Sequence, residues 1–270
     1  MMRRWRKLAA ILLAGVGLAS VALSHDIWIE PSVNVVRAGD WLRLSLMLGN
    51  HGNEHRDFKL ASKVSAGDQN LIVYGPKNQQ YDLTATMVDN GYTPQEGFWS
   101  AKFQPETPGI YMAASTFDKV MSYAPVRDIK SAKTLFVVSK SLDKVPEANP
   151  GFDRILGHPL ELIPIVNPVT PFGAGSVLKV RVLYKGKPLS NSKVSFIPKG
   201  TELRGEFDAS YEKKTDARGE AQLTLKEANS YLIATHFKDA NAKGTGYESI
   251  GYSATLCIVV PGICPCCVGG

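Results

Sequence analysis

The stretch WLRLSLML, residues 41–48, decides the fold. Leu42, Leu44, Leu46 and Leu48 recur at every second position, with Arg43, Ser45 and Met47 between them. A period of two places the leucines on one face of a β-strand, half buried, whereas a helix would scatter the same residues around its axis. Working outward, the runs at 27–29, 71–74, 81–88, 97–104, 109–115 and 134–138 have the same β character and are separated by Gly, Pro, Asn and Asp. Thr107-Pro108-Gly109 reads as a turn feeding a strand, because Pro-Gly suits the central positions of a type II turn. These segments make one β-sandwich.

Residues 139–153, SKSLDKVPEANPGFD, are polar and broken by two prolines, which marks a connection. Strand-like runs then resume at 160–164, 176–184, 192–198, 211–215, 221–225, 231–237 and 253–260. Lys185-Gly186-Lys187-Pro188 and Thr215-Asp216-Ala217-Arg218-Gly219 are turns between them. The expected fold is therefore all-β, with two β-sandwich domains of immunoglobulin-like or transthyretin-like character. They span residues 25–140 and 157–260, joined by a linker at 141–156 and followed by a cysteine-rich tail at 261–270.

Residues 1–24 carry the grammar of a signal peptide. Arg3, Arg4, Arg6 and Lys7 precede an apolar run from Leu8 to Leu23, and Ala22-Leu23-Ser24 supplies small residues before a cut. Cleavage after Ser24 would start the mature chain at His25; a rival cut after Ala19 would leave five residues ahead of it. The expected location is the periplasm or cell envelope. No later stretch reaches the roughly 20 apolar residues of a membrane span. Loss of the leader lowers the basic residues from 31 to 27 against 25 acids, a net charge of +2, which gives no footprint for nucleic acid.

The four cysteines, Cys257, Cys264, Cys266 and Cys267, lie within the last fourteen residues, so no disulfide framework staples the body of the chain. Cys257 falls inside a strand and reads as a small core residue. The other three can bind a soft metal, form disulfides or belong to a mobile tail. Nucleophile-elbow, phosphate-loop and His-Glu-x-x-His signatures are all absent, and the expected protein is not an enzyme.

Five histidines carry the chemistry. A free α-amine on His25 would sit beside its own imidazole as a bidentate nitrogen chelate for a divalent transition metal. His51 and His55 lie in Gly49-Asn50-His51-Gly52-Asn53-Glu54-His55, a polar loop directly after the 42–48 strand, and a loop can converge two imidazoles on one ion. Alternation places His236 on the face of Leu232 and Ala234, as a further ligand or as a buried, hydrogen-bonded side chain. His158 precedes Pro159, which holds the backbone extended, and reads as structural. Asp26, Glu30, Glu54 and Asp57 are the nearby carboxylates that would orient an imidazole or add an oxygen ligand.

Several ordered blocks resemble a known family: HDIWIEPS at 25–32, GHPLELIPIVNP at 157–168, VRVLYKGKPLSNSKVSF at 180–196, TDARGEAQLTL at 215–225, YLIATHF at 231–237 and YESIGYSATL at 247–256. The family is a domain of unknown function found in exported bacterial proteins and grouped with the periplasmic components of nickel and cobalt uptake systems. The resemblance runs from His25 to about Val260 and implies two β-sandwich modules, export, and a role in divalent metal supply. The metal set expected on these grounds is His25, His51, His55 and His236. Nickel or cobalt is favoured, copper is compatible, and the partner would be a membrane metal-transport component. A cell-envelope structural or interaction module that binds no metal is the alternative.

Overall fold

The computed structural model describes residues 25–49, 66–91, 93, 97–146 and 148–262. The described chain is almost entirely β-strand. In the first half the strands are β1 (Asp26–Pro31), β2 (Val35–Arg37), β3 (Leu42–Gly49), β4 (Ile72–Tyr74), β5 (Gln80–Asp82), β6 (Val88–Asp89), β7 (Trp99–Phe103), β8 (Gly109–Val120) and β9 (Val126–Ser139). The second half adds β10 (Leu160–Pro164), β11 (Val177–Tyr184), β12 (Lys187–Pro188), β13 (Lys193–Pro198), β14 (Glu212–Lys214), β15 (Glu220–Thr224), β16 (Asn229–Asp239) and β17 (Ser249–Val260).

They form three sheets. A small sheet runs β1-β3-β7-β6, another holds β10, β11, β12 and β15, and a nine-stranded sheet runs β14-β13-β16-β17-β9-β8-β4-β5 with β2 beside β9. The large sheet crosses the whole molecule, because β17 pairs in parallel with β9, residues 249–257 against 126–134. Residues 141–156 thus lie between two strands, β9 and β10, that belong to different sheets.

Both faces of the large sheet are covered. On β8, Tyr111, Ala113 and Phe117 join β3 leucines and Phe103 of β7 in one core, while Ile110 and Met112 join Leu160, Leu162, Val180 and Val182 in the other. On β9, Phe136 and Val138 face the first core, and Leu135 and Val137 the second. The result is three layers with two immunoglobulin-like sandwich cores that share the middle sheet. A strand buried on both faces reads as an apolar run, which is what residues 134–138, TLFVV, are.

The alternating leucines of residues 42–48 are buried against that sheet as their period required, with Leu44 and Leu46 fully buried. Lys185 and Gly186 both have left-handed φ, 50° and 75°, matching a two-residue hairpin turn between β11 and β12. The expected continuous strand at 81–88 is broken. Asp82 Oδ1 accepts the Thr84 N–H at 2.9 Å, Thr86 Oγ1 donates to the Leu83 carbonyl at 2.8 Å, and a 3₁₀ turn over Thr84–Thr86 separates β5 from β6. Short side chains that bond their own backbone compete with the ladder.

β9 also carries a buried charge. Lys133 and Glu161 are each 1% exposed and meet at 2.5 Å, joining β9 to β10. Glu161 further accepts the N–H groups of Leu156 at 2.6 Å and Gly157 at 3.0 Å. Burial pulls the Lys133 ammonium below its usual range, and Glu161 opposes that pull. Removing one partner of a buried ion pair strands the other. Lys133→Met is expected to destabilise the protein by about 3–5 kcal/mol, read from the shift of the urea midpoint; a midpoint unchanged from wild type would refute the clasp.

Candidate functional site

β1 positions the site. It pairs antiparallel with β3, so that Asp26 stands opposite Gly49 and Pro31 opposite Leu44. Ile27 and Ile29 turn into the first core. Their alternates, Asp26, Trp28 and Glu30, all reach the second half of the chain. Trp28 packs with Leu232 of β16 and Cys257 of β17, Glu30 receives Lys199 at 2.9 Å, and Asp26 Oδ1 lies 2.9 Å from His236 Nε2. Thr255 Oγ1 of β17 donates to the Ile27 carbonyl at 2.7 Å and fixes the strand between these contacts. HDIWIEP is therefore a strand whose second face clasps β16 and β17.

His236 is on the face that alternation predicted, with Leu232 and Ala234, but at the open end of β16, with 40% of its side chain exposed. The Asp26 carboxylate raises the affinity of His236 for a proton, and this outweighs the opposing effect of burial. Burial works to raise the Asp26 carboxyl, but the His236 and Lys130 charges hold it below the ordinary carboxylate range. His25 precedes Asp26 and adds to that lowering. Of the four histidines expected as ligands, His236 is thus bonded to Asp26 and His25 is the chain neighbour of that residue. His51 and His55, with Glu54 and Asp57, lie outside the described residues, as do Cys264, Cys266, Cys267 and residues 1–24. Among the described residues no three His, Cys, Asp or Glu side chains converge as a metal set.

The row beneath Asp26 was not singled out from the sequence. Across the large sheet, Lys130 of β9 pairs with Ser253 of β17, and Ser253 with His236. Lys130 and Asp128 are 5% and 7% exposed and meet at 3.2 Å. A Cβ on Gly251 would lie 2.7 Å from Asp128 Oδ1, so the carboxylate is seated where only glycine leaves room. Ser253 is 4% exposed and its Oγ has no hydrogen-bond partner. The alternating charges of Asp128 and Lys130, ahead of the apolar 134–138 run, were the signal available in the sequence.

The other histidine and the strand cysteine are structural. His158 sits beside Lys133 and Glu161 with its Nδ1 buried and unpaired; burial, then the Lys133 charge, lowers its pKa to about 4. Cys257 is fully buried next to Ser230 Oγ at 3.5 Å, and burial pushes its thiol up to about 12. It is the core residue its strand position implied.

The family model described as Domain of unknown function (DUF4198) matches residues 22–239, and the chain belongs to that family. No curated protein matches it. Among solved structures, the D0-D1 domain of Intimin is 11% identical with a TM-score of 0.22, over 87% of this chain and 98% of that one. A DUF4785 family protein from Legionella pneumophila is 12% identical with a TM-score of 0.28, over 77% and 51%. Salmonella alpha-2-macroglobulin is 12% identical with a TM-score of 0.26, over 93% of this chain and 16% of its own. At such scores the likenesses carry no argument about activity. No helix among the described residues is long and apolar enough to cross a membrane.

Two titrations follow from these surroundings. Replacing Asp26 with Asn removes the charge that raises the His236 pKa, so an NMR titration of D26N should find that pKa lower than in wild type; an unchanged value would refute the pairing. For His158 the folded ring stays neutral to about pH 4, while the unfolded ring gains its proton near pH 6.5. Its contribution to stability is therefore complete above pH 6.5 and is lost as pH falls toward 4. His158→Phe should flatten the Tm profile across that window, and an equally steep profile in the variant would show that other groups set it.

Proposed function

We propose that this protein is an exported, periplasmic carrier of a divalent transition metal, nickel or cobalt by preference, that serves uptake across the envelope. The observation that supports this most is the convergence at Asp26. His25 is its chain neighbour, His236 is bonded to it from 210 residues away, and Gly49, where β3 ends, is its register partner. One residue, Asn50, separates Gly49 from His51, a backbone reach of at most about 7 Å.

The donor chemistry fits such an ion. With Nε2 held by Asp26, His236 offers Nδ1, and a ligating imidazole whose other nitrogen is bonded to a carboxylate is the usual arrangement in metal sites. Cleavage after Ser24 would add the His25 α-amine and imidazole, and His51 and His55 would complete a nitrogen-rich set. Nitrogen donors suit Ni(II), Co(II) or Cu(II) over calcium or magnesium. The resemblance to proteins grouped with nickel and cobalt uptake favours the first two, with a membrane transport component as the receiving partner.

Native mass spectrometry of the secreted protein, equilibrated with equal traces of Ni(II), Co(II), Cu(II) and Zn(II), tests this in one spectrum. The expected result is a mass beginning at His25 with one ion retained, lost in both His25→Ala and His236→Ala. A mass beginning at Ser20, or an ion-free mass beginning at His25, would overturn the proposal and leave an envelope interaction module as the better reading.

A further inference from the structure

β14 and β15 are consecutive strands, yet they lie in different sheets. β14 ends the nine-stranded sheet and β15 pairs with β11. The turn at 215–219 carries the chain from one sheet to the other, so the edge of the second sandwich stands open between them. A cleft of about 360 Å³ occupies this opening, lined by Lys213 and Lys214 of β14, Arg218 of the turn, Lys179 of β11 and Gln222 of β15.

The cleft has two carboxylates of its own, and both are engaged within its wall. Glu220, with 5% of its side chain exposed, receives Lys179 at 2.7 Å, Arg181 at 2.5 Å and Arg218 at 3.2 Å. Asp216 Oδ1 accepts the backbone N–H groups of Arg218 at 2.8 Å and Glu220 at 2.9 Å, which closes the turn, and Oδ2 lies 3.6 Å from Arg218 Nε. Lys213 Nζ donates to the Ala209 carbonyl, which carries no charge. Among the described residues no carboxylate pairs with Lys213 or Lys214. The acids just outside the cleft do not cancel them. Glu212 is paired with Lys193 at 3.0 Å, and Asp208 accepts the N–H groups of Ser210 at 3.0 Å and Arg204 at 3.2 Å. Lys179, Arg181, Lys193, Lys213, Lys214 and Arg218 thus face Asp208, Glu212, Asp216 and Glu220, an excess of two positive charges. Adding Glu202, Arg204 and Glu206 of the neighbouring exposed loop still leaves the balance positive.

Backbone donors border the same opening. Phe196 N–H bonds the Tyr211 carbonyl and Thr215 N–H the Ser192 carbonyl, so in the alternating ladder Lys214 directs its own N–H away from β13, to the open edge. Val182 N–H bonds the Gly219 carbonyl and Leu225 N–H the Ser176 carbonyl, so Gln222 directs its N–H away from β11 in the same manner. Ammonium groups together with outward N–H groups are the donors that recognise an oxyanion. A phosphate group brings up to two negative charges and three strong acceptor oxygens, enough to meet both walls. The cleft also falls within the roughly 300–1,000 Å³ of small-ligand pockets, which leaves room for the organic part of an ester.

We infer that this cleft binds the phosphate group of a phosphomonoester, at a site separate from Asp26 and independent of the metal reading. Two probes of the mature protein distinguish the source of the group: calorimetric titration with glycerol 3-phosphate for a soluble ester, and co-sedimentation with phosphatidylcholine vesicles carrying phosphatidic acid for a lipid headgroup.

The expected result is saturable binding of at least one probe, weaker as NaCl is raised, and weakened about tenfold in Lys213→Gln and in Lys214→Gln by loss of a charge-assisted contact. Gln222→Pro removes only an outward N–H, which a sheet edge tolerates, and should weaken binding in the same direction. Lys102→Gln, on β7 of another sheet, should leave binding unchanged. The probe that binds identifies the source. Binding of neither probe, or an equal loss in Lys102→Gln and the β14 variants, would overturn the inference.

Discussion

The parallel pairing of β9 with β17 is the contact on which the rest of the molecule depends. β9 ends the first half of the chain and β17 ends the second, yet they are neighbours in one sheet. That pairing makes a continuous middle layer out of two halves, and each face of the layer then has to be covered. The β1-β3-β7-β6 sheet covers one face and the β10-β11-β15 sheet the other. Because β8 and β9 are buried on both sides, neither core can be loosened without exposing residues of the other.

The polar groups inside this arrangement have definite work. Lys133 on β9 and Glu161 on β10 join two layers at a point where neither side chain sees water, and Glu161 uses its remaining acceptor capacity on two backbone N–H groups. The pair ties the segment after residue 153 to the middle sheet, and the neutral His158 lies beside it. Further along β9, Asp128 and Lys130 leave the apolar pattern and make a charged end to the sheet. Asp26 is laid over that end because β1 alternates, with its isoleucines in the first core and its other side chains on β16 and β17. The candidate site is thus a consequence of packing: the strand that seals one sandwich places its first residues against the last strands of the other.

Much of this was legible in particular residues. Leu42 to Leu48 announced a strand with its leucines on one buried face, TLFVV at 134–138 a further strand, and Lys185-Gly186 a turn, because in each case the chemistry is local; that Ser45 and Met47 are buried as well, so that β3 is not half exposed, was not legible. His236 was placed on its proper face by alternation alone, and Asp26 was named as a carboxylate near the site. The run at 81–88 was misread because Asp82, Thr84 and Thr86 bond to nearby backbone, a competition that a hydrophobicity pattern does not register. Lys130, Asp128, Ser253 and Gly251 were passed over because their meaning depends on strands more than a hundred residues apart.

The sequence by itself determined that this is an all-β chain of alternating and apolar strands and a member of the DUF4198 family. Those properties follow from side-chain period, turn chemistry and the order of recognisable blocks, all of which are written along the chain. Only the tertiary structure decided that the two halves share a sheet and that Asp26 meets His236. Pairing in parallel across more than a hundred residues leaves no local trace, since its hydrogen bonds are made by the backbone, which is the same at every position.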